Sequence, residues 1–187
     1  MSQSGSSPNI SPVDRQFVSL GRVLQYLREV EDIDGAIAAT LDYLRTGFEY
    51  KLLWIATYDR ENHRLMGRGG VTPAGEIKFL KERMALQPGD LMDQVILQRK
   101  PVPIADLRQE KRSGEWQKAA QKFEVQGSIV FPIYHGETSY GLALLGSHLW
   151  NVVPRTDEKA RLAMVFGTLG QTLQRVEQHW QQQQTKR

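Results

Sequence analysis

The side chains of this chain that could do chemistry are few. Its 187 residues include no cysteine, which removes disulfides, thiolate zinc sites and any cysteine nucleophile. Four histidines, His63, His135, His148 and His179, stand far apart. Imidazole can ligate haem iron or change charge near neutral pH, but single histidines without a partner at ligand spacing carry no metal centre. His63 and His135 fall in expected turns and read as solvated. His179, beside Trp180, reads as surface or interface, and His148 follows the last expected strand. Asp106 stands between a short strand and a helix-prone segment, where a carboxylate caps backbone amides. Arg68 and Arg108 could grip an anion through their planar forks, although solvated surface positions are the plainer account of both. Glu110, Lys111 and Arg112 read as a solvated charged face. Gly69-Gly70 is not followed by the Gly-Lys-Ser/Thr of a phosphate loop, and no carboxylate and base recur at a spacing that suits acid–base catalysis. These residues point away from an enzyme.

The elements that must position them follow from apolar spacing. Val13, Phe17, Leu20, Leu24 and Leu27 recur at gaps of four and three, an a/d stripe that predicts a helix over Asp14–Glu31. A second helix is expected over Ile33–Thr46, with Gly47 as its stop. Leu52–Tyr58 reads as a strand and Arg64–Arg68 as its hairpin partner. Ile77, Leu80 and Met84 place a helix over Glu76–Leu86, and Leu91–Gln98 forms another after the Pro88-Gly89-Asp90 break. Val102–Ala105 is a short strand, and Asp106–Phe123 is polar and helix-prone with Trp116 and Phe123 as its aromatics. Two apolar runs around His135-Gly136-Glu137 predict a hairpin. Pro132 in the first run requires an edge or an open ladder. Gly141 and Gly146 in the second allow a close approach or a bulge. Leu162, Phe166, Leu169, Leu173, Val176 and Trp180 mark a last helix to about Gln182, with Thr156 as its expected cap. Helices gathered on one face of an antiparallel sheet give an α+β domain.

The bulk composition fits one globular domain with arms. The hydrophobic fraction is 40%, the charged fraction 24% and the net charge +3. No run of five like charges makes a nucleic-acid arm, and no apolar run approaches the about twenty residues of a membrane helix. The N-terminal Met-Ser-Gln-Ser-Gly-Ser-Ser-Pro-Asn lacks the layout of a signal peptide. A cytoplasmic location is expected, with neither nucleic acid nor membrane as partner.

Several segments, taken in order, resemble the GAF family between roughly Ile33 and Gln174. They are Leu53-Trp54-Ile55-Ala56-Thr57-Tyr58-Asp59, Pro88-Gly89-Asp90-Leu91-Met92-Asp93-Gln94-Val95, Gln98 to Asp106 around Pro101-Val102-Pro103-Ile104, and the hairpin strands Gly127 to Ile133 and Tyr140 to Leu145. The resemblance implies a central antiparallel sheet with helices on one face and long terminal helices. It also implies a pocket under loops and a short helix, and dimerisation through the terminal helices. Specialised branches of the family are disfavoured. Without cysteine there is neither covalent bilin attachment nor thiol-based reduction of methionine sulfoxide. Ser147-His148 stands where cyclic-nucleotide binders carry Asn-Lys, and Val153 stands for their Phe, although Asp157-Glu158 is kept.

The expected organisation is a disordered segment 1–12, a dimerisation helix 13–31, a GAF-like domain 32–176 and an extension 177–187. The expected function is a non-enzymatic signalling module without a covalent cofactor or a metal. It would bind an unidentified small molecule, report to a downstream signalling protein and work as a homodimer. Pocket candidates are Trp54, Arg68, Arg108, Trp116, Phe123 and His148. Interface candidates are Phe17, Leu20, Leu24, Leu27, Phe166, Leu169, Leu173, Val176 and Trp180. The alternative is a dimerisation scaffold whose pocket is filled by its own side chains.

Overall fold

The computed structural model describes residues 11–186. The expected disordered segment 1–12 therefore lies outside the described residues, apart from Ser11 and Pro12. Pro12 opens helix α1 (Pro12–Glu29), where its missing amide and fixed φ suit a first turn. Helix α2 (Ile33–Gly47) is capped by Asp32, whose carboxylate accepts from the Gly35 amide at 2.6 Å.

Six strands form one antiparallel sheet in the order β3-β2-β1-β6-β5-β4. They are β1 (Leu52–Asp59), β2 (Arg64–Val71), β3 (Arg83–Ala85), β4 (Val102–Ile104), β5 (Ser128–His135) and β6 (Thr138–Gly146). The central strands are apolar on both faces. Leu52, Trp54 and Ala56 of β1 enter one core, while Leu53 and Ile55 enter the other. This is the period-two alternation of a sheet covered on both sides. Pro132 lies beyond the last β4–β5 pair, Val102 with Val130, so the missing donor falls where β5 has a free edge. Gly141 pairs with Thr57, and a Cβ there would stand 2.1 Å from the Ala56 carbonyl oxygen. The close approach read from its sequence is real.

The three long helices share one side. Helices α2 and α5 (Thr156–Thr185) lie on the sheet, and α1 lies across these two. The other side is covered by α3 (Leu91–Gln98), α4 (Glu115–Phe123) and two single turns, Leu107–Gln109 and Lys111–Ser113. The class is α+β, as expected, and the hairpin at His135-Gly136-Glu137 forms between β5 and β6. The cap of α5 falls one residue earlier than expected: Arg155 is the N-cap, and the Glu158 carboxylate accepts from the Arg155 amide at 3.2 Å.

The helix expected over Glu76–Leu86 does not form. Only the turn Phe79–Lys81 and strand β3 occur there. The indole N–H of Trp54 donates to the Leu80 carbonyl at 2.9 Å, and the Gly67 amide donates to the Glu82 carbonyl at 2.9 Å. Carbonyls that a helix would have used are taken by the sheet, and Ile77 is left exposed.

The apolar stripes of the terminal helices are also corrected in role. Leu20, Leu24, Leu27, Phe166, Leu169, Leu173 and Val176 are buried within the single chain. Because α1 rests on α2 and α5 rather than on the sheet, the helix layer is two deep and absorbs both stripes. Only Phe17 and Trp180 of the nine stay largely exposed, each at 63%.

Candidate functional site

The face of the sheet opposite the long helices carries the candidate site. Trp54 projects from β1 and meets Trp116 of α4 with ring centroids 4.7 Å apart, and Phe79 meets Trp116 edge-on at 4.9 Å. Such tilted and edge contacts suit the ring quadrupoles. Helix α4 is amphipathic and places Trp116, Ala120 and Phe123 inward, so the polar segment over 106–123 is anchored by few apolar groups. The Trp116 side chain is 1% exposed, yet its Nε1–H has no acceptor among the described residues. An unpaired buried donor carries a cost of about 1–3 kcal/mol.

A cavity of about 310 Å³ opens beside this indole, between the β3 side of the sheet and the cover. Leu65, Met84 and Met92 supply its apolar wall, and Arg83, Arg112 and Asp90 supply charge. The arrangement can bury a small flat or apolar body against the indole and offer it charged groups at the mouth. Ion pairs around the cavity also fix the cover. Arg108 clasps Asp106 through Nε at 3.0 Å and Nη2 at 2.8 Å, and Asp106 accepts the Arg108 amide at 3.0 Å. Hydrogen bonding from Arg108 holds the Asp106 carboxyl below its usual range. Hydrogen bonding from Arg112, whose Nε lies 2.8 Å from Glu110, does the same for Glu110.

The six pocket candidates do not converge. Trp116 alone lines the cavity. Trp54 and Phe123 are core residues of the same face. Arg108 is committed to Asp106, which acts as the cap its position implied. Arg68 donates to the Thr57 hydroxyl at 2.8 Å and lines a different groove, beside Trp180. The His148 ring Nδ1 lies 3.0 Å from the Glu124 carbonyl, which accepts from it.

His63 is not simply a solvated turn residue. Its Nε2 lies 2.9 Å from the buried Asp93 carboxylate and its Nδ1 lies 2.7 Å from the Tyr58 hydroxyl. A neutral ring carrying its proton on Nε2 satisfies all three groups, donating to Asp93 and accepting from Tyr58. Burial, and then the charge of Asp93, raise the Tyr58 phenol above its usual value. The relay ties the β1–β2 hairpin to α3.

Sequence reasoning missed Arg83, Met84 and Met92 as cavity residues. Apolar spacing puts Met84 on a helix face, and only the pairing of β3 with β2, Leu65 opposite Met84, turns it toward the cavity. Among the described residues there is no group of three or more His, Asp or Glu able to hold a metal ion.

This fold and this covered sheet face define a GAF-type module. The chain belongs to the GAF family: the family model for the GAF domain matches residues 30–169. It is similar to the GAF domain of a phosphoenolpyruvate-protein phosphotransferase from Coxiella burnetii, at 12% identity over 90% of this chain and 98% of that one, with a TM-score of 0.71. A free methionine-R-sulfoxide reductase from Neisseria meningitidis, solved with its substrate, shows 15% identity, covers 92% and 98%, and gives 0.68. The GAF domain of a two-component sensor histidine kinase from Bacillus halodurans shows 17% identity, covers 80% and 99%, and gives 0.67. No curated protein matches the sequence. Among the described residues no helix is long and apolar enough to cross a membrane.

Proposed function

We propose that the chain is a non-enzymatic regulatory GAF module that binds a small molecule in the cavity beside Trp116 and reports through α1 and α5 of a homodimer. The observation that carries the ligand reading is the buried Trp116 N–H without an acceptor, set against a cavity of about 310 Å³. A ligand with a hydrogen-bond acceptor on a compact apolar body would satisfy it once the packing around the indole opens from the cavity. The absence of cysteine removes thiol chemistry from the reading. The exposed Phe17, Val18, Met164 and Trp180 on the two helices support pairing of subunits through that layer, and the helical end of α5 supports output to a signalling partner.

The packing of Trp54, Phe79 and Trp116 favours a second reading, a scaffold whose pocket is filled by these rings. Thermal melts across a metabolite panel decide between them, because a ligand that binds only the folded state raises Tm by mass action. Trp116→Phe keeps a ring and removes the N–H. The sensor reading expects a Tm rise in the parent chain that shrinks in Trp116→Phe by more than the change in basal stability. It also expects the segment 106–123 to exchange amide hydrogens faster than β5. A panel without any shift, with that segment as protected as β5, favours the scaffold.

A further inference from the structure

On the other side of the molecule, Arg161 of α5 is a cation in an unusual position. Its side chain is 5% exposed, and buried guanidinium groups ordinarily stand against a carboxylate. No carboxylate lies within ion-pair distance of it among the described residues. Its contacts are Nη1 to the Tyr43 hydroxyl at 3.3 Å, Nη1 to the Gly47 carbonyl at 3.5 Å, and a position 4.4 Å above the Phe48 ring. Both hydrogen bonds are long and both use one nitrogen, while the group offers five N–H donors. The carbonyl end of α2 supplies only a partial negative charge.

Arg161 lines an open groove of about 840 Å³ between the end of α2, the 147–155 loop and the start of α5. Four cations face it, Arg45, Lys51, Arg155 and Arg161, against two carboxylates, Glu49 and Glu158. Arg45 pairs with Asp42 at 2.8 Å, and Arg155 pairs with Glu158 at 3.2 Å and Asp157 at 3.4 Å. Lys51 and Arg161 have no ion-pair partner among the described residues. With Asp42 and Asp157 counted, the four cations are matched in number by carboxylates, so it is the placement of these two unpaired cations, not a net charge, that marks the groove. Its walls are apolar and flat: Phe48 and Tyr50 stack at 6.3 Å with rings 29° apart, and Leu149, 69% exposed, stands at the rim.

We propose that this groove is a second ligand site, separated from the Trp116 cavity by the whole sheet, and that it takes a small organic anion. The anionic head, a carboxylate or phosphate, sits on the fork of Arg161 with Lys51 beside it. A flat apolar body lies between the aromatic pair and Leu149. A charged bidentate contact explains why a guanidinium rather than an ammonium occupies the position.

The probes are phenyl phosphate, benzoate and inorganic phosphate, titrated calorimetrically into the full chain at constant ionic strength. Saturable binding of either aromatic anion is expected, weakened about tenfold in Arg161→Lys, where the charge stays and the fork goes. In Lys51→Gln, an exposed position that leaves the core untouched, a loss of roughly threefold is expected. If Arg161→Lys does not fold, the Lys51→Gln titration is sufficient by itself. The proposal is overturned if neither aromatic anion binds, if Lys51→Gln binds as tightly as the parent, or if Trp116→Phe abolishes binding and so moves it to the opposite face. Inorganic phosphate binding as tightly as phenyl phosphate overturns the assigned ligand class.

Discussion

The hydroxyl of Thr172, midway along α5, donates to the carbonyl of Leu27 near the end of α1 at 2.6 Å, so two residues 145 apart in sequence close the outer helix onto the inner one. Arg175 adds its fork to the same end, donating to the carbonyls of Leu27, Arg28 and Val30. These are the orphan carbonyls that end any helix, and α5 satisfies them from the side.

Helix α1 is therefore part of the subunit's own core. Leu27→Ala, which empties a fully buried position, is expected to lower unfolding stability by about 3 kcal/mol. Thr172→Val leaves the Leu27 carbonyl without its hydroxyl donor and should cost about 1–2 kcal/mol. Urea denaturation measures both. Losses under roughly half a kcal/mol in each would contradict the clamp.

Dimerisation must be tested at residues the subunit does not bury. Leu173→Asp would unfold the chain rather than divide a dimer, because Leu173 is core. Phe17→Asp and Trp180→Asp are exposed changes and are expected to leave Tm within a few degrees while halving the mass seen by light scattering. A parent chain that scatters as a monomer at tens of micromolar removes the dimer from the proposal.

Two glycines about one turn apart in α5 should respond with opposite signs. At Gly170 a new Cβ would stand 2.2 Å from the Tyr134 carbonyl oxygen, whereas at Gly167 nothing lies within 4 Å. Gly167→Ala is expected to stabilise by about 0.5–1 kcal/mol through helix propensity. Gly170→Ala must push α5 off β5 and is expected to destabilise by about 2 kcal/mol or more, as other overpacked contacts do. Equal effects at the two sites would show that α5 does not press against β5 at Gly170.

Tyr50 gives an alkaline signature. Burial, and then the nearby Glu158 charge, push its phenol up to about 12 from an ordinary 10.0. A folded value above the unfolded one means that the contribution is complete below about pH 10 and is lost as pH rises through about 12. Tyr58 and Tyr140 are also raised, so a tyrosinate absorbance titration should show a late-ionising group of phenols that includes Tyr50 at about 12. Tyr50→Phe should remove one phenol from that group and flatten the fall in stability over the same range.

The parts of the fold legible in the sequence are those with a clean period. Strands β1, β5 and β6, the hairpin at His135-Gly136-Glu137 and the bounds of α3 are readable because alternation and glycine-rich turns leave few alternatives. Glu76–Leu86 misleads because Ile77, Leu80 and Met84 fall at helical gaps while their backbone is recruited by Trp54 and Gly67. The stripes on α1 and α5 are real, but spacing does not say whether an apolar face is covered by its own chain or by a copy. The site is less legible still. Trp116 is identifiable as an aromatic in a polar segment, whereas Arg161 stands on a helix face like any surface arginine. Only its place beside Phe48 and the end of α2 sets it apart.

Apolar on both faces, the central strands make the sheet a party wall. Leu52, Trp54 and Ala56 furnish one room, and Leu53 and Ile55, interleaved with them on the same backbone, furnish the other. Neither room stands if the other is demolished. Cutting away the helical layer would wet Phe131, Leu145 and Ile55, and stripping α4 and its cover would wet Trp54 and Leu144. The cavity beside Trp116 cannot be carved out as a smaller receptor, and the helices cannot be borrowed alone as a dimerisation tag. The domain is indivisible along the plane where it looks most easily split.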